Sequence, residues 1–226
     1  MVYVVVSTQM IATFVANIYK MSGVNVLIIG SGGREHALAW KLSQSPKLGK
    51  LFALPGNPGT ARLGENIPLS VLDFEGIRTV VLEKNINLVV IGPEEPLVKG
   101  LYNFLTGDLG LRNVLVVGPG REGAMLEGSK NFAKAFMQRH GIPTARYRAF
   151  TRDEYSEAKK FLGTLSSPYV LKADGLAAGK GVVIQASYED ACASLGEFFS
   201  GKFGDAGNVV VIEEYLRGVE LSVFVL

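Results

Sequence analysis

The sequence predicts the α/β fold class, with a parallel-sheet, Rossmann-like N-terminal domain followed by an α+β domain that contains an antiparallel sheet. Two observations predict it. In the first half, apolar runs typical of buried strands alternate with segments of helical periodicity, which is the rhythm of βαβ units. In the second half, the order of predicted elements is β, α, β, loop, β, α, β, and the loop is rich in glycine.

The strands predicted for the N-terminal domain are four apolar runs: Val26–Ile29, Leu51–Leu54, Leu88–Ile91 and Val114–Val117. Apolar residues recur at helical spacing between them, as in Leu38/Leu42 and Phe74/Ile77/Val81. A loop that begins with glycine or proline follows each strand: GSGGREH at 30–36, PGNPGT at 55–60, GPEEPL at 92–97 and GPG at 118–120. Because ligands of parallel sheets bind at the carboxyl ends of the strands, these loops are the candidate binding edge.

The first loop is a partial dinucleotide fingerprint. Gly30 and Gly32 match it, but Glu35 occupies the third glycine position, and the second strand runs into Pro55-Gly56-Asn57 instead of an acidic residue that would hold a ribose. These departures disfavour a nicotinamide or flavin cofactor. A narrower prediction remains, in which Gly32, Gly33 and the helix that follows bind a phosphate.

Three further side chains of this domain have two interpretations each. Arg34 either adds a bidentate phosphate contact or is solvated. Glu94, after a Gly-Pro turn, either accepts hydrogen bonds from sugar hydroxyls or an amine, or is a solvent-facing loop carboxylate. His36 is expected to pack against the sheet or to cap a backbone group, because no second histidine or cysteine nearby suggests a metal.

The second half begins with a predicted helix whose aromatic stripe, Phe132, Phe136 and Met137, is expected in the core; the helix ends at Gly141, with Pro143 beyond. Lys130 lies at its start, where a cation is unfavourable, which suggests a bound anion. A strand at 145–150 comes next. Capping patterns at 151–154 and 187–190 then predict helices to about Gly163 and Phe199, and a strand follows at Val209–Ile212.

The segment YVLKADGLAAGKGVVI at 169–184 consists of two strand-like runs around a glycine-rich loop. Its glycines, Gly175, Gly179 and Gly181, and its lysines, Lys172 and Lys180, predict a clamp over nucleotide phosphates. The alternative is an ordinary hairpin with solvated lysines. A Walker loop is excluded, because the first glycine of that pattern falls on Asp174, the final Ser/Thr falls on Gly181, and a strand follows in place of a helix.

Two carboxylates follow the last predicted strand. Glu213 and Glu220 lie seven residues apart across a turn at Arg217-Gly218. They either face one cleft beside a nucleotide base and its ribose, or they are solvated, as acidic residues at strand ends commonly are.

Composition narrows the classes of partner and compartment. The net charge of +2 comes without a long charged run, so we expect neither nucleic-acid nor membrane binding. The single cysteine, Cys192, lies in a predicted amphipathic helix; it cannot form an internal disulfide, and a buried structural thiol in a reducing compartment is expected. Residues 1–20 fit poorly as a signal peptide or membrane span, and our hypothesis is an extension outside the fold, with a fresh start at Met21.

Six motifs in register resemble the phosphoribosylamine–glycine ligase (glycinamide ribonucleotide synthetase) family of the ATP-grasp superfamily, from Val24 to Leu226. They are GSGGREHALAWKL, PGNPGT, GPEEPLVKG, LEGSKNFAKAFMQRHGIPTA, VLKADGLAAGKGVV and VIEEYLRGVELSVFVL. The resemblance implies ATP-dependent ligation of glycine to 5-phosphoribosylamine through glycyl phosphate, which gives glycinamide ribonucleotide, ADP and phosphate in the second step of purine synthesis. No nucleophile of the Ser/His or Cys/His type is required, because phosphoryl transfer needs positioning and charge neutralisation.

The resemblance also implies two binding sites. Phosphoribosylamine would be bound by Gly32, Gly33, Arg34, Glu35, Asn57 and Glu94. ATP would lie between a mobile subdomain at about 144–213 and the subdomain after it. Lys130 and Lys172 would contact phosphates, Gly175 to Gly181 would form a flexible cover that includes Gly179 and Lys180, Glu213 and the backbone of Tyr215 and Leu216 would meet adenine, and Glu220 would bind the ribose; Asp174 belongs to the same predicted set.

The domains expected from this resemblance are a phosphoribosylamine-binding domain at 21–123 and an incomplete ATP-grasp domain at 124–226. The family continues well beyond Val223–Leu226, so we expect this chain to lack the Mg²⁺ (or Mn²⁺) ligands and to be inactive alone, and the full-length enzyme to be a cytoplasmic monomer. Two alternatives remain: another ATP-grasp ligase or carboxylase, and a non-catalytic nucleotide-binding protein.

Overall fold

The structure, a computed structural model, describes residues 23–176 and 180–221, which form two compact units that divide between Ala124 and Met125. Several predictions lie outside the described residues: the extension at 1–20, the start at Met21, the role of Gly179, and the chain end at 223–226. Each unit is described by itself.

The first unit is built on a parallel five-stranded sheet of order β3-β2-β1-β4-β5. Its strands are β1 (Val24–Gly30), β2 (Leu48–Pro55), β3 (Glu65–Asn66), β4 (Leu88–Ile91) and β5 (Leu115–Val117). Its helices are α1 (Gly33–Ser43), α2 (Phe74–Glu83), α3 (Glu94–Lys99) and α4 (Leu101–Gly107), and α5 (Arg121–Gly128) runs across the division. The parallel sheet predicted from the apolar runs is confirmed.

Both faces of this sheet are buried, which explains why its strands are apolar at nearly every position. Leu27 and Ile29 point into one core together with Ile77 and other residues of α2 to α4. Val26 and Ile28 alternate with them and point into a second core, which includes Ala39 of α1. The period of two along β1 thus divides its side chains between two helical layers.

The second unit is built on an antiparallel sheet of order β6-β9-β7-β8. The strands are β6 (Tyr147–Thr151), β7 (Tyr169–Ala173), β8 (Val182–Gln185) and β9 (Val209–Glu214), and the helices are α6 (Lys130–Arg139), α7 (Tyr155–Leu162) and α8 (Tyr188–Glu197). The predicted hairpin and antiparallel sheet are confirmed. Glu154 also accepts a hydrogen bond from the Thr151 N–H (2.9 Å), as the capping pattern at 151–154 predicts.

One face of this sheet carries the hydrophobic core of the unit. Phe150, Leu171, Ala173, Val210 and Ile212 are buried there with residues of α7 and α8. The alternate residues of the same strands point to the other face. That other face carries Lys172 and Glu213, and it is where the candidate nucleotide site lies.

Two structural predictions were wrong, and one short strand was missed. Phe132, Phe136 and Met137 are only half-buried, because α6 buries the small Ala133 and leaves the aromatic side of the helix partly open. Glu94 is not in a loop, since it begins the helix α3. The strand β3 was not predicted, because its two residues are polar and short strands have no apolar periodicity.

Candidate functional site

The carboxyl edge of the first sheet brings the predicted phosphoribosylamine residues together around Glu35. This side chain is 5 % exposed, and its Oε2 accepts a hydrogen bond from the Gly32 N–H at 2.6 Å. A Cβ atom on Gly30 would lie 2.6 Å from Glu35 Cγ, and one on Gly92 would lie 2.1 Å from Oε1. The glycines at the ends of β1 and β4 are therefore needed to make room for this carboxylate.

Glu35 also explains the incomplete dinucleotide fingerprint. Its carboxylate takes the Gly32 N–H, which in the predicted phosphate site was a donor to the ligand. The N–H groups of Gly33 and Arg34, in the first turn of α1, have no acceptor within the helix by its geometry. A Cβ on Gly33 would meet no atom within 4 Å, so this part of the helix start is open.

Asn57 holds the PGNPGT loop on the first loop. Its Nδ2 donates to the carbonyls of Ser31 (2.9 Å) and Gly32 (3.2 Å), and its Oδ1 accepts from the N–H groups of Gly59 and Thr60. The hydrogen-bonding groups of the Asn57 side chain are thus largely used within the protein. In this structure the Asn57 side chain connects the PGNPGT loop to the first loop, next to the predicted ligand position.

Arg34 and Glu94 lie at the same edge. Arg34 is exposed and donates from Nη1 to the Gly92 carbonyl at 3.1 Å, which uses one of its five N–H donors. Glu94 is half-buried at the start of α3. The prediction for His36 was wrong: its ring is exposed and lies against Gly59, where a Cβ would be 2.4 Å from Cε1, so it contacts a loop and not the sheet.

In the second unit, strand register places the predicted ATP residues on one sheet face. Glu213 lies opposite Tyr147 on β6 and Val170 on β7, and Lys172 lies opposite Val211 and Val182. Directly paired residues point to the same face, so these side chains share it. Val182 (45 % exposed) and Ile184 (53 % exposed) extend this face as open apolar surface beside the lysine.

Glu213 is the charged centre of this face, and the expectation that it could be a solvated strand-end residue was wrong. It is 4 % exposed and forms ion pairs with Lys172 of β7 and with Lys134 of α6, whose Nζ lies 2.5 Å from Oε2. Burial acts to raise the pKa of Glu213, but hydrogen bonds and charge from the two lysines outweigh it and hold the pKa below its usual value. Oε2 is buried, and its charged partner among the described residues is Lys134.

The start of α6 is occupied by a carboxylate of the protein itself. Asp174 accepts hydrogen bonds from the Asn131 N–H (2.6 Å) and from Ser129 Oγ (3.0 Å to each oxygen), while Ser129 Oγ accepts from the Phe132 N–H. The anion that the position of Lys130 suggested is therefore Asp174, from the loop after β7. This carboxylate interacts favourably with the helix dipole and ties that loop to α6.

Lys130 has a partly desolvated ammonium group. Its Nζ donates to the Gly175 carbonyl at 3.2 Å. Burial lowers the pKa of Lys130, and the nearby Lys172 lowers it further, while Asp174 and Glu213 act in the opposite direction. An additional anion between Lys130 and Lys172 would relieve this unfavourable pair of positive charges.

The described ends of the glycine-rich loop keep the hairpin closed. The Ala173 N–H donates to the Gly181 carbonyl at 2.7 Å, and a Cβ on Gly175 would lie 3.0 Å from the Cβ of Ala206. Lys180 is exposed. Tyr215, Leu216 and Glu220 are also exposed, in the irregular segment after β9.

Sequence reasoning missed Lys134 and Ser129. A signal for Lys134 was present, because it stands four residues after Lys130 and therefore on the same side of α6. Within the described ranges, no group of three or more His, Cys, Asp or Glu side chains is placed to hold a metal ion. Among the same residues, no helix has the length and apolar character that crossing a bilayer requires.

Comparisons with known proteins agree with this division into two units. The family description "Phosphoribosylglycinamide synthetase, N domain" matches residues 24–127, and "Phosphoribosylglycinamide synthetase, ATP-grasp (A) domain" matches residues 128–226. A phosphoribosylamine–glycine ligase of Nostoc sp. (strain PCC 7120) is 49 % identical over 203 residues, which are 89 % of this chain and 46 % of that protein.

Solved structures give the same relationship. The phosphoribosylamine–glycine ligase of Thermotoga maritima is 36 % identical with a TM-score of 0.68, and the match covers 87 % of this chain and 45 % of that one. An N5-carboxyaminoimidazole ribonucleotide synthetase crystallised with ADP shares the fold at 22 % identity, with a TM-score of 0.63 over 87 % of this chain and 48 % of that one. The chain thus spans about half the length of the relatives that it matches. It belongs to the phosphoribosylglycinamide synthetase family, with matches to the N domain and the ATP-grasp domain of that family.

Proposed function

We propose that this chain is the part of a phosphoribosylamine–glycine ligase that binds 5-phosphoribosylamine through its first unit and ATP through its second. In the proposed reaction of the whole enzyme, ATP supplies the phosphoryl group that activates the glycine carboxylate, and the amine of phosphoribosylamine displaces it to give glycinamide ribonucleotide, ADP and phosphate. Membership of the family and the 49 % identical ligase support this proposal.

The observation that carries the ATP proposal is the cluster of Lys130, Lys172 and Glu213 beside the glycine-rich loop. The ammonium groups of Lys130, Lys134 and Lys172 stand against the two carboxylates of Glu213 and Asp174, which leaves one positive charge at the end of β7, where Gly175 begins the loop. Phosphate oxygens placed there would receive charge-assisted hydrogen bonds from Lys130 and Lys172. Gly175, Gly179, Lys180 and Gly181 would then cover the phosphates and exclude water.

The base would lie farther along the same sheet face. Val182 and Ile184 offer apolar surface on which a planar base can pack, and Oε1 of Glu213, the oxygen that Lys172 contacts, can accept a hydrogen bond from an exocyclic amine once Lys172 turns to a phosphate. Adenine has such an amine at the position where guanine has a carbonyl, so this arrangement favours ATP over GTP. We propose the backbone of Tyr215 and Leu216 as further partners of adenine and Glu220 as the ribose partner.

The phosphoribosylamine proposal combines the open part of the α1 start with the side chains around it. Since Glu35 already takes the Gly32 N–H, the sugar phosphate would be bound by the N–H of Gly33, the start of α1 and the unused donors of Arg34. Glu94 at the start of α3 would accept from sugar hydroxyls or the amine. Asn57 and Glu35 would keep the two loops in place around the ligand.

The remaining assignments are also proposals. We place the domain boundary at 123/124, supported by the unit division between Ala124 and Met125, and we place the mobile subdomain at about 144–213. We propose a cytoplasmic, monomeric enzyme, with Mg²⁺ or Mn²⁺ accompanying ATP and with no ligand to that ion assigned in this chain.

The direct test is nucleotide binding by isothermal titration calorimetry of the 226-residue chain. We expect ATP and ADP to bind, GTP to bind at least tenfold more weakly, and Lys172→Met to lower ATP affinity at least tenfold, about one charge-assisted hydrogen bond. Lys160→Met is the matched control, because Lys160 is a 71 % exposed lysine of the same unit paired with Glu157. Equal affinities for Lys172→Met and Lys160→Met, or no binding by the wild type, would contradict the ATP site.

The sugar site needs a separate probe. Ribose 5-phosphate carries the sugar and phosphate of the proposed substrate, and we expect it to bind to the wild type and to lose affinity in Arg34→Met. Arg152→Met, a substitution of an arginine in the other unit, is the control. Binding that is insensitive to Arg34 would refute the sugar-phosphate site without touching the ATP site.

A further inference from the structure

Glu213 is shared by two lysines that come from different elements. Lys172 reaches it along the sheet from β7, and Lys134 reaches it from α6. The proposed function gives Lys172 a second task, which is to contact the phosphates of ATP. If Lys172 turns toward a phosphate, the buried carboxylate of Glu213 needs another counter-ion, because an isolated buried charge is strongly unfavourable.

The two lysines differ in a way that suits separate tasks. The side chain of Lys134 is 12 % exposed, and its ammonium lies 5.5 Å from the centre of the Tyr147 ring as well as beside Glu213. The side chain of Lys172 is 29 % exposed and lies at the end of β7 beside the glycine-rich loop. Lys172 is therefore the lysine that a ligand can reach, and Lys134 is the enclosed one.

We propose that Lys134 is a positioning residue, the permanent counter-ion of Glu213, and that it lets Lys172 leave Glu213 for nucleotide phosphates without stranding a buried carboxylate. This inference rests on the proposed ATP site. Lys134 keeps Glu213 ionised and oriented toward the base in both states. The pair Lys172–Glu213 is then a contact of the nucleotide-free protein that binding opens.

The charges around Glu213 are consistent with such an exchange. Lys134 and Lys130 face it from α6, Lys172 from β7 and the Tyr147 ring from β6, while Asp174 lies beyond Lys130 at the start of α6. After Lys172 leaves, Lys134 still neutralises the carboxylate locally. Burial and the nearby Lys172 disfavour the charged form of Lys130, so this charged form becomes more stable when a phosphate takes Lys172 away.

Removing Lys134 makes the exchange measurable as the uptake of a proton when the nucleotide binds. In Lys134→Met without nucleotide, Lys172 still holds Glu213 ionised. When phosphates draw Lys172 away, Glu213 is left buried without an ion-pair partner, its affinity for a proton rises, and it takes up a proton from solution. Affinity for ADP should then increase as the pH falls, by up to about tenfold per pH unit for one proton taken up.

The experiment is titration calorimetry of the 226-residue chain with ADP, in two buffers of different ionisation enthalpy and between about pH 5.5 and 8. The protonation of the ADP phosphate itself cancels when variants are compared with wild type. We expect extra proton uptake in Lys134→Met, close to wild-type uptake in Lys134→Arg, and none in Lys134→Met/Glu213→Gln, which has no carboxylate to protonate. Adenosine, which has no phosphate to attract Lys172, should cause no extra uptake in any variant.

A second measurement covers the case in which Lys134→Met does not fold. In the wild type, ADP should shift the NMR signals of the Lys172 side chain strongly and those of Lys134 weakly. Equal shifts of both lysines, or the same proton uptake in folded Lys134→Met and wild type, would overturn the inference while leaving the ATP site intact. Failure of the wild type to bind ADP would instead overturn the proposed ATP site and this inference with it.

Discussion

The sharpest structural prediction concerns Asp174, whose carboxylate caps α6 from a loop 43 residues away from Asn131. Substituting Asp174 with Ala removes the acceptor of the Asn131 N–H, at 2.6 Å, and of the Ser129 hydroxyl. Both bonds involve a charged acceptor, and each such bond contributes about 1.5–3 kcal/mol when it is intact. Because Asp174 is half-buried, water can make some of the hydrogen bonds that the carboxylate leaves unmade, so we expect Asp174→Ala to lower the free energy of unfolding by about 2–3 kcal/mol.

A matched series of variants separates the effect of the charge at Asp174 from the effect of its hydrogen-bond acceptor. Asp174→Asn keeps one oxygen for the Asn131 N–H and loses the charge, so about 1 kcal/mol is expected. Asp73→Ala removes an ordinary cap of α2, whose carboxylate accepts from the Gly76 N–H, and should also cost about 1 kcal/mol. Asp174→Ala should therefore be clearly the most damaging of the three.

The assay is urea unfolding followed by circular dichroism, together with hydrogen exchange of peptides that cover residues 129–140. Loss of the cap should speed exchange of the Asn131 and Phe132 amides, and Ser129→Ala should be non-additive with Asp174→Ala because the two side chains share one hydrogen bond. If Asp174→Ala costs no more than Asp73→Ala, or if exchange at the start of α6 stays unchanged, then Asp174 does not fix this helix.

Three further predictions follow from other contacts. Gly92→Ala should displace the Glu35 carboxylate, since its Cβ would lie 2.1 Å from Oε1, and should lower the free energy of unfolding by about 1–3 kcal/mol. The measurement is urea unfolding followed by the fluorescence of Trp40, the only tryptophan in the sequence. Gly33→Ala, with no atom within 4 Å of the new Cβ, is the control and should change little. Because the pKa of Glu213 is lowered in the folded protein, its contribution to stability is complete above the usual carboxyl pKa and is lost as the pH falls through the lowered value. When the midpoint of urea unfolding is plotted against pH, Glu213→Gln should therefore reduce the loss of stability at acid pH. An unchanged acid loss would contradict the ion pairs. Lys130 gives a slope of the same sign in the alkaline range, since a lowered lysine pKa makes stability rise as the pH rises from the folded value toward the usual one. Lys130→Met should remove that alkaline rise and weaken ADP binding in calorimetry, and a variant that keeps the rise would show that another group causes it.

The sequence was sufficient for the fold because the strands that matter are apolar on both faces or on alternate residues. β1 and β4 read as continuous apolar runs, and in the parallel sheet both faces of these strands are covered. The hairpin of β7 and β8 followed from glycines between two such runs. By contrast, β3 consists of Glu65 and Asn66, which pair with β2 through backbone alone, so no pattern of side chains could reveal it.

The site was only partly predictable, because its charges are partnered over long distances in the chain. Glu213 looked like a solvated strand-end residue, and its burial depends on Lys134 in a helix almost eighty residues earlier in the sequence. Glu35 looked like a failed glycine of the fingerprint, and its position depends on Gly92, the residue after β4. Local periodicity contains no information about which distant residues pair. It does indicate, through the four-residue spacing, that Lys130 and Lys134 lie on the same side of one helix.

These partnerships change how each unit could bind a phosphate. A helix start is favourable for an anion because its N–H groups are free and its dipole is positive there. In both units a carboxylate of the protein already takes part of that advantage, Glu35 at α1 and Asp174 at α6. A second anion at the same place meets like-charge repulsion unless a cation stands beside it. Arg34 stands beside Glu35, and Lys130 stands beside Asp174, so removing either cation should weaken phosphate binding more than removing one backbone donor would.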